Sequence, residues 1–135
     1  MKIGIDIHGV INLYPKLFAK LAKAWLQRGH EVHILTGMDW ASAKKELEVF
    51  SVPYSHYYSI VDYHRKIGTP MKKKKSGWWM AGGLWDKSKG DYCAKHRIQI
   101  HFDNDLQYAK WFPETCSFVC VKNKGFNKVL EVLGF

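Results

Sequence analysis

The sequence predicts an α/β fold: a three-layer α/β/α sandwich around a mostly parallel, five-stranded Rossmann-like sheet. Short runs rich in β-branched residues alternate along the whole chain with stretches whose apolar residues recur at helical spacing. The first strand, helix and second strand make a parallel pair, and its right-handed crossover sets the topology of the domain. Finally, several apolar runs end in small polar or acidic residues. Open α/β sheets gather ligands in the crevice outside the carboxyl ends of their strands.

The opening run, Lys2-Ile3-Gly4-Ile5-Asp6-Ile7-His8-Gly9-Val10-Ile11, reads as a buried strand that places Asp6 at its carboxyl end, followed by a glycine able to turn sharply. Pro15 suits the first turn of a helix, and Leu17, Phe18, Leu21, Ala22 and Trp25 continue it to a stop at Gly29. Glu31 to Leu35 forms the second strand and ends in Thr36-Gly37. Asp39 is placed to cap a helix over Trp40 to Phe50, which Pro53 closes. Tyr54 to Val61 is expected to be a third, more polar strand.

Residues 62–87 break the rhythm. Lys72-Lys73-Lys74-Lys75, Ser76-Gly77-Trp78-Trp79 and Gly82-Gly83-Leu84-Trp85 follow neither period, so this segment is expected to be a loop or flap. A long irregular segment inside a compact domain is usually functional or disordered, and its tryptophans argue against plain disorder. Ser88 to His96 then reads as a helix despite Gly90, and Ile98 to Phe102 as a strand that runs into Asp103-Asn104-Asp105. Asp105 caps a short helix stopped by Pro113, Ser117 to Val121 is the fifth strand, and Phe126, Val129, Leu130 and Leu133 mark an amphipathic last helix.

Residues 1–135 are one domain's worth of chain, without an internal repeat. A hydrophobic content of 47% and an aromatic content of 15% fit a packed core rather than disorder. The net charge of +9 favours polyanionic partners: nucleotides, nucleic acid or phosphorylated metabolites. Cys93, Cys116 and Cys120 offer neither a disulfide framework nor a thiolate zinc spacing, which fits a reducing compartment. No run approaches a membrane span and no leader pattern opens the chain, so the expectation is a cytoplasmic protein without membrane contact. His30, His33, His56, His64, His96 and His101 show no ligand spacing and read as ordinary surface or strand histidines.

Asp6, Thr36 and Asp103-Asn104-Asp105 end three strands that lie near one another in a doubly wound sheet. Carboxylates gathered at one crevice repel unless a hard cation sits between them, and Mg²⁺ takes one or two carboxylates, waters and a substrate phosphate. The order Asp6-x-His8-Gly9-Val10, Thr36-Gly37, Lys89, Phe102-Asp103-Asn104-Asp105 resembles the four-motif signature of the haloacid dehalogenase-like superfamily of phosphohydrolases. Lys89 is preferred to Lys87 because it lies 14 positions before Asp103, as in compact members. The resemblance covers nearly the whole core but not the flap.

That resemblance implies a Mg²⁺-dependent phosphohydrolase working through an aspartyl-phosphate. Asp6 would be the nucleophile, Thr36 and Gly37 would hold phosphoryl oxygens, and Lys89 would neutralise charge. Asp6, the backbone carbonyl of His8 and Asp103 would bind Mg²⁺, with Asn104 or Asp105 orienting a metal-bound water. One position departs from the family: His8 stands where its phosphatases carry a second Asp as acid and base. Imidazole exchanges protons near neutral pH and can take that part. Three readings stay open: His8 as working acid and base, a transferase or slow phosphatase that holds its phospho-intermediate, or a phosphate-binding domain without turnover.

Lys73, Lys74, Trp78 and Trp79 combine cations with stacking surfaces, which suits a nucleotide or, through Lys72 to Lys75, a nucleic-acid end. The family inserts specificity elements at this place in the chain. A catalytically weak nucleic-acid-binding module is the competing reading. Oligomeric state is left open by the sequence.

Overall fold

A computed structural model describes residues 1–122, 124–132 and 134. Five strands form one sheet in the order β3-β2-β1-β6-β7, and every pairing is parallel. These are β1 (Lys2–Ile5), β2 (Glu31–Thr36), β3 (His56–Ser59), β6 (Ile100–Asp103) and β7 (Ser117–Cys120). The helices α1 (Pro15–Gln27), α2 (Trp40–Phe50), α3 (Ile60–Lys66), α4 (Leu84–His96) and α5 (Lys124–Val132) connect or follow them. The expected sandwich is therefore found, with a wholly parallel sheet. Parallel strands are covered on both faces, and β2 shows it: five of its six residues, Val32 to Thr36, are buried.

One core cluster joins Ile3, Ile5 and Ile34 of the sheet to Leu17, Phe18 and Ala22 of α1 and to Ala43 and Leu47 of α2. A smaller one gathers Leu35, Cys93, Ile98 and Cys116. All three cysteines are free thiols. Fully burying a side chain such as Phe18 or Ile34 contributes roughly 1.5–3 kcal/mol, so these layers fix the strand ends firmly.

Several boundaries differ from the sequence expectation. β1 stops at Ile5, and Ile7 to Ile11 form a tight irregular turn interrupted at His8 and Gly9. The third strand is shorter than Tyr54 to Val61, because the Ser59 hydroxyl accepts the Asp62 N–H and starts α3 there. The segment 62–87 is not an irregular flap. Its first residues belong to α3, its last to α4, and between them β4 (Met71–Lys74) and β5 (Gly77–Met80) make an antiparallel hairpin. Gly90, which weakened the helical pattern, is where α4 meets the following turn: a Cβ there would lie 2.2 Å from the Trp111 carbonyl oxygen. Asp39 and Asp105 cap as expected, accepting from Ser42 N and Gln107 N. Leu133, assigned to the last helix, lies outside the described residues. Among the described residues no helix is long and apolar enough to cross a membrane.

Candidate active site

The central strands β1 and β6 are parallel neighbours, so Asp6, just beyond β1, and Asp103, the last residue of β6, reach the same sheet edge. Lys89, in the second turn of α4, sends its ammonium between them. Nζ lies 3.1 Å from Asp6 Oδ2 and 2.9 Å from Asp103 Oδ2. All three residues are buried.

The two carboxylates are held differently. Asp103 accepts four hydrogen bonds: Lys89 Nζ and His101 Nε2–H on Oδ2, and the backbone N–H groups of Asn104 and Asp105 on Oδ1. That fills the lone pairs of a carboxylate. Asp6 has the Ile7 N–H on Oδ1 and Lys89 on Oδ2. One ammonium serves both acids, and Asp103, with the larger set of hydrogen-bond donors, is the more strongly stabilised as an anion.

Burial pushes Asp6 above the usual carboxylate range; Lys89 draws it back only in part, and the Asp103 charge adds to the rise. Burial acts on Asp103 too, but the His101 hydrogen bond and the Lys89 charge outweigh it and hold Asp103 well below its ordinary value. For Lys89 burial opposes the charge, yet Asp6 and Asp103 prevail and push it up to about 12. Burial lowers His101 despite its bond to Asp103, which keeps the ring a neutral donor. Its Nδ1 faces Gly4, the residue paired with it across β1 and β6, and is the one buried side-chain polar atom among the described residues without a partner.

Above this frame opens a crevice of about 350 Å³, lined by Asp6, His8, Gly37, Met38, Ile60, Trp85, Asp86, Lys89, Asn104, Asp105 and Tyr108. Gly9 sits at φ 77°, and a Cβ there would fall 2.4 Å from the Asn104 side-chain nitrogen; only glycine lets the turn and Asn104 pack so closely. Gly37 faces the Trp85 ring, 2.6 Å from where its Cβ would stand. Thr36 is fully buried beneath Gly37 and accepts the Met38 N–H. His8 is half exposed, and its Nε2–H donates to Glu46 of α2 at 2.9 Å.

Of the residues expected to form the site, Asp6, His8, Gly37, Lys89, Asn104 and Asp105 line the crevice, while Asp103 and Thr36 stand behind it. Lys73, Lys74, Trp78 and Trp79 do not. They belong to the hairpin, where Lys73 stacks over Trp78 and Lys74 over Trp79. Trp78 and Trp79 line a neighbouring pocket that shares Trp85 and Asp86 as a wall with the crevice.

Sequence reasoning missed Trp85 as a wall, Tyr108, His101 and Glu46. His101 and Asp103 are two apart on one strand and so share a face, a signal that was available. Glu46 meets His8 only through the packing of α2 on the turn.

The oxygen donors facing the crevice, on Asp6, Asn104 and Asp105, suit a hard cation such as Mg²⁺ in kind. Asp103 in this arrangement braces Lys89, and to touch a cation it must release one of its four donors. No family model, no curated protein and no solved structure matches this chain.

Proposed function

We propose that this chain is a Mg²⁺-assisted phosphomonoesterase of the haloacid dehalogenase-like type, with Asp6 as nucleophile. The observation that carries the reading is the Lys89 ammonium held between Asp6 and Asp103 beneath an open polar crevice. A buried carboxylate beside a fixed cation is poised to meet a phosphoryl group, whose negative charge the cation then shares.

An Asp6 oxygen attacks phosphorus and the P–O bond to the leaving group breaks, giving an aspartyl-phosphate and an alkoxide. His8 imidazolium gives the alkoxide its proton. The neutral ring then takes a proton from water as that water attacks phosphorus and releases phosphate, restoring Asp6. Glu46 fixes the direction of this traffic: by accepting Nε2–H it leaves Nδ1 as the nitrogen that exchanges the proton. Mg²⁺, held by Asp6 with Asn104 and Asp105, would neutralise phosphoryl oxygens. Lys89 does the same from the protein side.

The remainder of the substrate extends past Trp85 toward the hairpin, whose stacking rings and lysines favour a nucleotide or a nucleic-acid phosphate. A second reading, a phosphate- or nucleic-acid-binding module with little turnover, draws on the contact of His8 with Glu46, which engages its Nε2 outside any substrate. Hydrolysis of an aryl phosphate with and without Mg²⁺ separates the two. The enzyme reading requires metal-dependent release of phosphate that Asp6→Asn abolishes. Retained turnover in Asp6→Asn removes Asp6 as nucleophile, and no turnover in the unaltered protein with intact phosphate binding leaves the binding module.

A further inference from the structure

A second cluster of chemically capable side chains lies at the opposite edge of the sheet. Glu31 and His33 are two residues apart on β2, so the alternation of the strand sends both side chains to one face. His56 is the direct partner of His33 in the β2–β3 pair and points to that same face. The two imidazoles stack with centroids 4.3 Å apart and planes 9° from parallel. Glu31 Oε2 stands 2.8 Å from His33 Nε2 and 3.9 Å from His56 Nδ1. The ligating atoms of all three lie within 4.8 Å of one another, and no other trio of His, Cys, Asp or Glu among the described residues comes so close.

We propose that Glu31, His33 and His56 bind one divalent transition-metal ion of the Zn²⁺ class, with water in the remaining position. Two imidazoles and one carboxylate select Zn²⁺, Ni²⁺ or Cu²⁺ over Mg²⁺, which prefers an all-oxygen shell. Bonds of about 2.0–2.2 Å place tetrahedral ligands roughly 3.3–3.5 Å apart. The Glu31–His33 contact therefore opens and the Glu31–His56 contact closes, each by about half an ångström, and the His56 ring turns out of its stack on His33, giving up the 2.9 Å contact of its Nδ1 with the Ser55 hydroxyl so that its lone pair aims at the ion. Both Glu31 and His56 are solvent-exposed enough to move, with side-chain exposures of 38% and 50%.

His33 supplies the rigid part. It is buried, and its Nδ1 lies 2.8 Å from the Tyr92 hydroxyl. An incoming ion takes the place of the Nε2 proton now given to Glu31; the ring keeps its one proton by tautomerising, and the resulting Nδ1–H donates to the Tyr92 oxygen. Lys2 Nζ, 3.6 Å from Glu31 Oε2, lies on the surface and swings aside. The site is at the amino ends of the strands, about 10 Å along β2 from His33 to Thr36 and the crevice. Its effect would be to clip the edge strand β3 to β2.

Titration of the full chain with Zn²⁺ in the presence of excess Mg²⁺ tests the proposal by calorimetry, and Co²⁺ absorption reports the ligand field. One Zn²⁺ per chain, a rise in Tm on loading, and intense tetrahedral Co²⁺ bands are expected. His56→Gln, at an exposed position, and His33→Gln should each weaken binding about 10–100-fold, while His30→Gln leaves it unchanged. Absence of stoichiometric Zn²⁺ binding overturns the proposal. So does unchanged affinity in a folded His56→Gln, or loss of binding in His8→Gln instead. None of these readouts depends on phosphatase activity.

Discussion

Lys89→Met keeps the length of the side chain and removes its charge. At an effective dielectric of about 20, charges separated like those of Lys89 and its two carboxylates attract by roughly 5–6 kcal/mol per pair. Burying the three ions costs several kcal/mol each, so most of that attraction is already offset. What the variant leaves behind is Asp6 and Asp103 sharing a dry site with no cation between them, and breaking a buried pair in this way costs about 3–5 kcal/mol. For a domain of this size that lowers Tm by roughly 10–20 °C.

Urea unfolding across pH measures the effect and its sign. In the unaltered protein Lys89 is raised to about 12, so its contribution is whole below the unfolded value of ~10.4 and fades as pH rises through about 12. Without the ammonium both carboxylates move upward and prefer to be neutral. The deficit of Lys89→Met should therefore shrink as pH falls from 8 toward 5. A loss below about 1 kcal/mol, or a deficit that does not change with pH, would show that the ammonium does not hold the two acids together. Adding Asp103→Asn to Lys89→Met should recover part of the loss, and strict additivity would deny the coupling.

Other perturbations follow from the same geometry. His8→Ala should lower kcat by about 10²–10⁴-fold on an aryl phosphate while leaving Asp6 competent to be phosphorylated, and His8→Asp should retain turnover; trapped phosphoprotein detected by mass spectrometry checks it. Gly37→Ala forces Trp85 from its place and should raise KM more for a nucleotide than for an aryl phosphate; equal changes would detach Trp85 from substrate. Gly4→Ala drives a methyl group against His101 Nδ1, 2.6 Å from the built Cβ, and should cost about 1–3 kcal/mol in denaturant, eased in Gly4→Ala/His101→Ala. Replacing Lys72 to Lys75 by serine should weaken oligonucleotide binding and flatten its dependence on salt, measured by fluorescence anisotropy.

The sheet was legible because Ile3 and Ile5 in one stretch and Val32, Ile34 and Leu35 in the other concentrate β-branched residues and leucine in short runs, as strands covered on both faces do. Asp39 and Asp105 announced their helices by position. The hairpin was not legible, since Met71 to Lys74 is nearly all lysine and lacks strand propensity; its pairing with Gly77 to Met80 comes from the turn and from rings stacked under the ammonium groups. The start of α3 was available in Ser59-x-x-Asp62, a capping pattern hidden by the aromatic run before it. In the site, strand ends revealed Asp6 and Asp103, but not that Asp103 would be enclosed. That depends on His101, whose place needs Gly4 on the neighbouring strand, a relation that appears only once register is known. Glu46 and Trp85 likewise reach the crevice through packing.

The full hydrogen-bond complement of Asp103 has a practical consequence. Because an ammonium already stands between the acids, the resting architecture draws its cohesion from within the polypeptide. Prolonged dialysis against a chelator should silence catalysis and leave the circular dichroism spectrum untouched. Restoring magnesium should then return activity at the speed of mixing, without a refolding lag.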